Sequence, residues 1–196
     1  MSKIIPIAAV LVSSVFAQIQ FGARANLGIA QTYPNEIEIT GWGGTSKKTV
    51  DGGGNVGLGG FALIPFMSIY FAPEIAMQHR VPVNNFEGLT VTETAIEIPL
   101  LFRFRYREEN LIYLGIGPFY GVVLDLQDNA DGTFKNHRSR SDIGLSCELG
   151  FRINENFSID LRFTSSFASF GIGEYLGVGG ETPTLGQGQI GVSYIF

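Results

Sequence analysis

The chain has 196 residues, enough for one domain, with 45% hydrophobic residues, only 16% charged ones, 26 Gly and 16 Phe. A soluble domain carries roughly 25% charged residues, so this profile favours apolar strands with tight internal packing. The formal charge of −5 argues against nucleic acid as a partner, and the single cysteine, Cys147, excludes an intramolecular disulfide.

Residues 1–17 are expected to form a cleaved signal peptide. Lys3 supplies the positive start, Ile4 to Val12 the apolar stretch and Val15-Phe16-Ala17 the small-residue cleavage site. The apolar run is far short of the roughly 20 residues that a spanning helix needs. The mature domain then covers 18–196, and no cysteine lies near the cleavage site to take a lipid. Losing Lys3 leaves 12 basic against 18 acidic residues, formally −6.

From there the dominant signal is a period of two, in segments of about ten residues, the length at which a tilted strand crosses a bilayer. In Phe21 to Ile29 the positions Phe21, Ala23, Ala25, Leu27 and Ile29 are apolar, with Gly22, Arg24, Asn26 and Gly28 between them. The second segment, Asn55 to Ile64, is Gly-rich and ambiguous in phase. Ser68 to Gln78 sets Ile69, Phe71, Pro73, Ile75 and Met77 against Tyr70, Ala72, Glu74 and Gln78. Ala95 to Tyr106 sets Ile96, Ile98, Leu100, Phe102, Phe104 and Tyr106 against Glu97, Arg103 and Arg105. Leu111 to Asp125 alternates in the same way, with Asp125 on its polar side. Asp142 to Ile153 puts Asp142, Glu148 and Arg152 opposite the apolar phase, and Phe157 to Phe167 does so with Asp160 and Arg162. The last segment, Gln187 to Phe196, turns Ile190, Val192, Tyr194 and Phe196 outward.

Eight segments alternate between short turns and four long connections, at 31–54, 79–94, 126–141 and 168–186, all at one end. That rhythm predicts an all-β fold, an eight-stranded antiparallel up-and-down transmembrane β-barrel with short periplasmic turns and long extracellular loops. A soluble sandwich would bury the apolar face and expose the polar one. If the apolar face meets lipid instead, the charges point into the lumen. Arg24, Glu74, Glu97, Arg103, Arg105, Asp125, Asp142, Glu148, Arg152, Asp160 and Arg162 are then the candidate lumen charge network, six acids and five bases that nearly neutralise one another. Phe104, Tyr106, Phe151, Phe157, Tyr194 and Phe196 lie beside the expected periplasmic ends, where an aromatic belt belongs.

The closing residues Gln189-Ile190-Gly191-Val192-Ser193-Tyr194-Ile195-Phe196 resemble the terminal β-signal of bacterial outer-membrane proteins. In that class such a tail is recognised by the barrel-assembly machinery, and Gln189, Gly191, Tyr194 and Phe196 match it position by position. Phe71-Ala72-Pro73-Glu74-Ile75, Ile96-Glu97-Ile98-Pro99-Leu100-Leu101 and Gly115-Ile116-Gly117-Pro118-Phe119 also resemble the PorT-like outer-membrane β-barrel family, akin in architecture to the small OmpA and OmpX barrels. The resemblance implies an outer-membrane location and says little about activity. The Gly-rich first loop departs from it.

Other motifs carry less. Gly52-Gly53-Gly54-Asn55-Val56-Gly57 satisfies G-x-G-x-x-G, but Gly59, Gly60 and Pro65 follow where a nucleotide site needs a helix. Gly53-x-x-x-Gly57 sits in an uncharged run whose glycines and prolines suit a hairpin better than a dimerising helix. His137, Ser139, Ser141 and Asp142 could be imagined as a rim enzyme, yet such clusters are common in solvated loops, and no enzyme activity is expected. Asp125, Asp128 and Asp131 lack the Gly and bidentate Glu of a calcium loop, so no metal or cofactor is expected.

The reading is a structural or interaction protein that presents its outer loops to an extracellular or envelope ligand. The alternative is a narrow channel for ions or small solutes. Outer-membrane lipid and the barrel-assembly machinery are the expected partners.

Overall fold

The computed structural model describes residues 19–33, 36–41, 44–49, 52–66, 69–81, 85–86, 89–105, 111–128, 141–170 and 184–196. The expected signal peptide lies outside these residues. Among the described residues eleven strands run in chain order: β1 (Gln20–Tyr33), β2 (Glu36–Gly41), β3 (Gly44–Thr49), β4 (Gly53–Phe66), β5 (Ile69–Val81), β6 (Asn85–Phe86), β7 (Leu89–Arg105), β8 (Ile112–Asp128), β9 (Ser141–Arg152), β10 (Phe157–Phe170) and β11 (Thr184–Ile195).

Eight of them form one antiparallel sheet in the order β5-β4-β1-β11-β10-β9-β8-β7, and β7 pairs back onto β5 to close it. The first and last barrel strands meet from Gly22↔Ile195 to Tyr33↔Thr184. Each barrel strand therefore pairs with its neighbours in the chain, and the ends of the meander pair with each other. Closure leaves the barrel without a free edge. The β4–β5, β7–β8 and β9–β10 connections lie at the end that holds both termini, and the long connections lie at the other.

The exterior is apolar. Phe21, Leu27, Ile29, Leu58, Ile75, Met77, Leu114, Phe163 and Ile190 are all more than half exposed. The interior carries charge, with Arg24, Glu74, Glu97, Arg103, Asp142, Glu148, Asp160 and Arg162 each at most 6% exposed. A water-facing barrel has the opposite polarity, and this inside-out distribution is that of a transmembrane barrel.

Inward glycines make room for the charged side chains. The Arg24 guanidinium lies where a Cβ on Gly191 would stand, 2.5 Å from it, and the Tyr113 ring fills the space above Gly150. Glycine on one strand thus lets a long side chain from another lie across the narrow lumen.

The strands are longer than the sequence pattern suggests. The pattern places 79–94 in a loop, but β5 continues through Arg80 to Val81 and β7 begins at Leu89. Arg80 and Glu93 look like loop residues because they are charged, yet both are buried in the lumen. The 31–54 connection contains the β2–β3 hairpin, paired from Glu36↔Thr49 to Gly41↔Gly44. The ambiguous phase of β4 resolves with Asn55, Gly57, Phe61 and Leu63 inward.

Candidate functional site in the barrel lumen

The lumen is filled in layers. Beside the short turns, Phe61, Leu63, Ala72, Leu101 and Ile195 form an apolar plug with Tyr70 packed against it. The Arg103 guanidinium stacks between this plug and the charges, 5.2 Å from the Phe61 ring centre and 5.1 Å from that of Tyr113. A cavity of about 10 Å³, lined by Leu63, Tyr70, Arg103, Tyr113 and Ser158 among others, is the size of one water molecule.

Above the plug runs a chain of six charged side chains. Arg103 Nε lies 2.8 Å from Glu148 Oε1, an ion-pair contact outside hydrogen-bond geometry, and its Nη2 donates to Oε2 at 3.3 Å. Arg162 donates to Glu148 Oε2 from Nε and Nη2, at 3.1 and 2.6 Å. Its Nη1 and Nη2 also grip Glu74 in a two-point bond, at 2.9 and 2.7 Å. Glu74 lies 3.7 Å from Arg24, whose Nη2 donates to Asp160 Oδ1 at 2.5 Å. Three guanidinium groups face three carboxylates, so the chain is electrically neutral. Every member is nearly devoid of solvent, where an unpaired charge would be costly and a paired, hydrogen-bonded one is tolerated.

The decisive geometry is the Glu74–Arg162 bond. β5 and β10 stand four places apart in the ring of eight, on opposite walls of the barrel. The two-point bond therefore spans the diameter. A second strut does the same between β11 and β7, where Gln187 Nε2 donates to Glu97 Oε1 at 2.5 Å.

That second strut belongs to an outer layer that the sequence reading did not assemble. Arg80 donates to Glu93 at 2.8 Å and to Glu97 at 2.5 Å, and Asn55 Nδ2 donates to Gln187 at 2.8 Å. Gln189 joins the layers by accepting from Arg24 at 3.5 Å and donating to Gln187 at 3.0 Å. Extending the alternation two residues past Gln78 would have found Arg80, and four residues back from Glu97 would have found Glu93.

Other expected site residues lie as follows. Asp142 is buried in the lumen wall. Arg152 sits at the end of the barrel, where its Nε donates to the Asn154 carbonyl at 2.9 Å and its Nη2 to that of Glu155 at 2.8 Å. The β9–β10 turn thus holds this guanidinium through its carbonyls. The side chains of Arg105, Tyr106 and Asp125 lie outside the described residues, as do Asp131, His137 and Ser139. His79 faces outward and contacts Thr94 Oγ1 at 3.2 Å. In the closing strand Gln189 and Gly191 face the lumen, while Tyr194 faces outward, 4.8 Å from the Phe157 ring and 5.6 Å from that of Phe196. Among the described residues no group of three His, Cys, Asp or Glu could hold a metal ion.

No family model matches the chain, and no curated protein matches it. Solved structures do. Neisserial surface protein A superposes with a TM-score of 0.56 at 12% identity, over 90% of this chain and 97% of that one. At that identity the likeness shows the fold: a small outer-membrane-type barrel of eight strands. The attachment invasion locus protein Ail of Yersinia pestis, in complex with the heparin analogue sucrose octasulfate, is similar at a TM-score of 0.48 and 16% identity, over 90% and 99% of the two chains. The outer membrane protein OprG of Pseudomonas aeruginosa is similar at 0.45 and 15%, over 90% and 95%.

Proposed function

We propose that this chain is an outer-membrane anchor whose barrel holds the connections opposite its termini on the outer face of the cell, where they meet an extracellular or envelope ligand. The observation that carries the reading is the Glu74–Arg162 bond across the full width of the lumen, seconded by Gln187–Glu97. A barrel strutted in this way and plugged with Phe61, Leu63 and Leu101 is a rigid support, and its variable chemistry lies in the connections. The same struts weigh against the alternative, a narrow channel for ions or small solutes, because conduction would require breaking a buried pair on each passage.

The apolar exterior fits outer-membrane lipid as the surrounding partner. Export through a signal peptide at 1–17 and recognition of Gln189, Gly191, Tyr194 and Phe196 by the barrel-assembly machinery complete the proposed route, in keeping with the PorT-like resemblance. Membrane fractionation combined with an epitope inserted within 129–140 tests this. The account expects the protein in the outer-membrane fraction and the epitope labelled on intact cells. A soluble protein, or an epitope reached only after lysis, would contradict it.

A further inference from the structure

Two rows of inward positions cross three adjacent strands of the barrel wall. Asn26 on β1 pairs in register with Gly57 on β4, which pairs with Gln78 on β5. Directly above, Gly28 pairs with Asn55, which pairs with Arg80. Each row thus sets one glycine beside polar residues, and the glycines leave hollows that the side chains can enter. The Gln78 carboxamide lies in one, occupying the space that a Cβ on Gly57 would need. Asn55 Oδ1 lies in the other, 2.8 Å from the Cβ position of Gly28.

Six polar atoms of this patch have no hydrogen-bond partner in the protein. Asn26 Nδ2 and Oδ1, Gln78 Nε2 and Oε1, Asn55 Oδ1 and Arg80 Nε are all buried and all unpaired. The two other unpaired buried atoms among the described residues, Arg103 Nε and Glu148 Oε1, face each other at 2.8 Å. Unmet hydrogen-bonding capacity is therefore concentrated in one place, as three donors and three acceptors. Burying that many polar atoms without bonds would cost far more than a fold of marginal stability tolerates.

We propose that this patch is a binding site for a small cluster of ordered water between the two ion-paired layers. Water fits because it donates and accepts equally, and the patch offers both in equal number. The carboxamides are neutral and the guanidinium of Arg80 is already held by Glu93 and Glu97, so the site has no free charge with which to select an ion. Spacing agrees as well. With Gln78 folded over Gly57, about one strand spacing, roughly 5 Å, separates its carboxamide from the strand that carries Asn26. A molecule bonded to both groups at about 2.8 Å bridges such a gap. Buried water held by two to four polar groups is a permanent part of a fold. Here it would fill the gap on the β5-β4-β1 wall between the Arg24–Glu74 layer and the Arg80 layer.

The test uses the full chain, isotope-labelled and refolded in detergent micelles. Dipolar cross-peaks between water and the side-chain amide protons of Asn26 and Gln78 are expected, together with loss of the Gln78 cross-peaks in Asn26→Leu. Absence of water cross-peaks at both amides in the unmodified chain would overturn the proposal, since the two carboxamides would then be dry or paired with each other. The urea midpoint of Asn26→Leu gives an independent reading. It falls if Leu strips bridging water from Gln78, and an unchanged or raised midpoint, as expected for replacing a dry unpaired amide, would also overturn the proposal. Should Asn26→Leu fail to fold, the spectrum of the unmodified chain decides alone.

Discussion

Arg162 holds a carboxylate on each side, Glu74 from the far wall and Glu148 from the neighbouring strand. Removing it would leave two buried acids short of a partner, so Arg162→Leu is expected to lower stability by about 3–5 kcal/mol, the usual cost of breaking a buried pair. Arg152→Leu, which loses only solvent-facing bonds at a turn, should cost below about 1 kcal/mol. Urea unfolding of the two variants in the same detergent measures both, and equal losses would show that the lumen network is not what holds the barrel. The contrast also marks what one residue's sequence position reveals. Alternation assigns Arg24, Glu74, Arg162 and Arg152 to the polar side, but it gives a side and no partner. Which acid Arg162 reaches depends on the circumference of the closed barrel, and Arg152 is drawn off by carbonyls of a turn that alternation does not describe.

Among the elements, β11 and β10 show how tightly the wall divides inside from outside. Ile190 faces outward beside Leu161, its register partner, and Gln189 next to it is buried. A lysine at Ile190 would be expected to lower stability in lipid vesicles by about 2–4 kcal/mol, as a cation near the middle of a bilayer does. If the same substitution were neutral in vesicles, this surface would not face lipid. On the inner side, Gly191→Val should push the Arg24 guanidinium off Asp160 and cost about 1–3 kcal/mol through overpacking. Pairing that change with Arg24→Ala should recover part of the loss, because the truncated side chain no longer occupies the added volume. The existence, order and phase of seven of the eight barrel strands were legible from alternation. The β4 phase was not, because Gly53, Gly54, Gly57, Gly59 and Gly60 carry no polarity to alternate. The outer ends of β5 and β7 are hidden for the reverse reason: Arg80, Glu93 and Thr94 interrupt the apolar alternation with polar residues.

For the molecule as a whole, the sequence made a membrane barrel legible through the number of strands, the alternation of short and long connections, and the confinement of charge to one phase. It did not make legible whether the lumen is open. That depends on struts formed between residues far apart in the chain, such as Glu74 with Arg162 and Glu97 with Gln187. With those struts and the apolar plug in place, the barrel behaves as a solid support. The proposed function places ligand contact at the end where the connections opposite the termini emerge, and the closing residues Gln189 and Gly191 contribute to the strutted interior.

The occluded lumen is tested most directly by single-channel recording of the refolded chain in a planar bilayer, with a heat-shifted gel band confirming closure of the barrel. A folded barrel that shows no stable conductance steps is the predicted result. Stable, discrete steps from the same folded protein would contradict it and would make Glu74, Arg162 and Glu97 the lining of a pore.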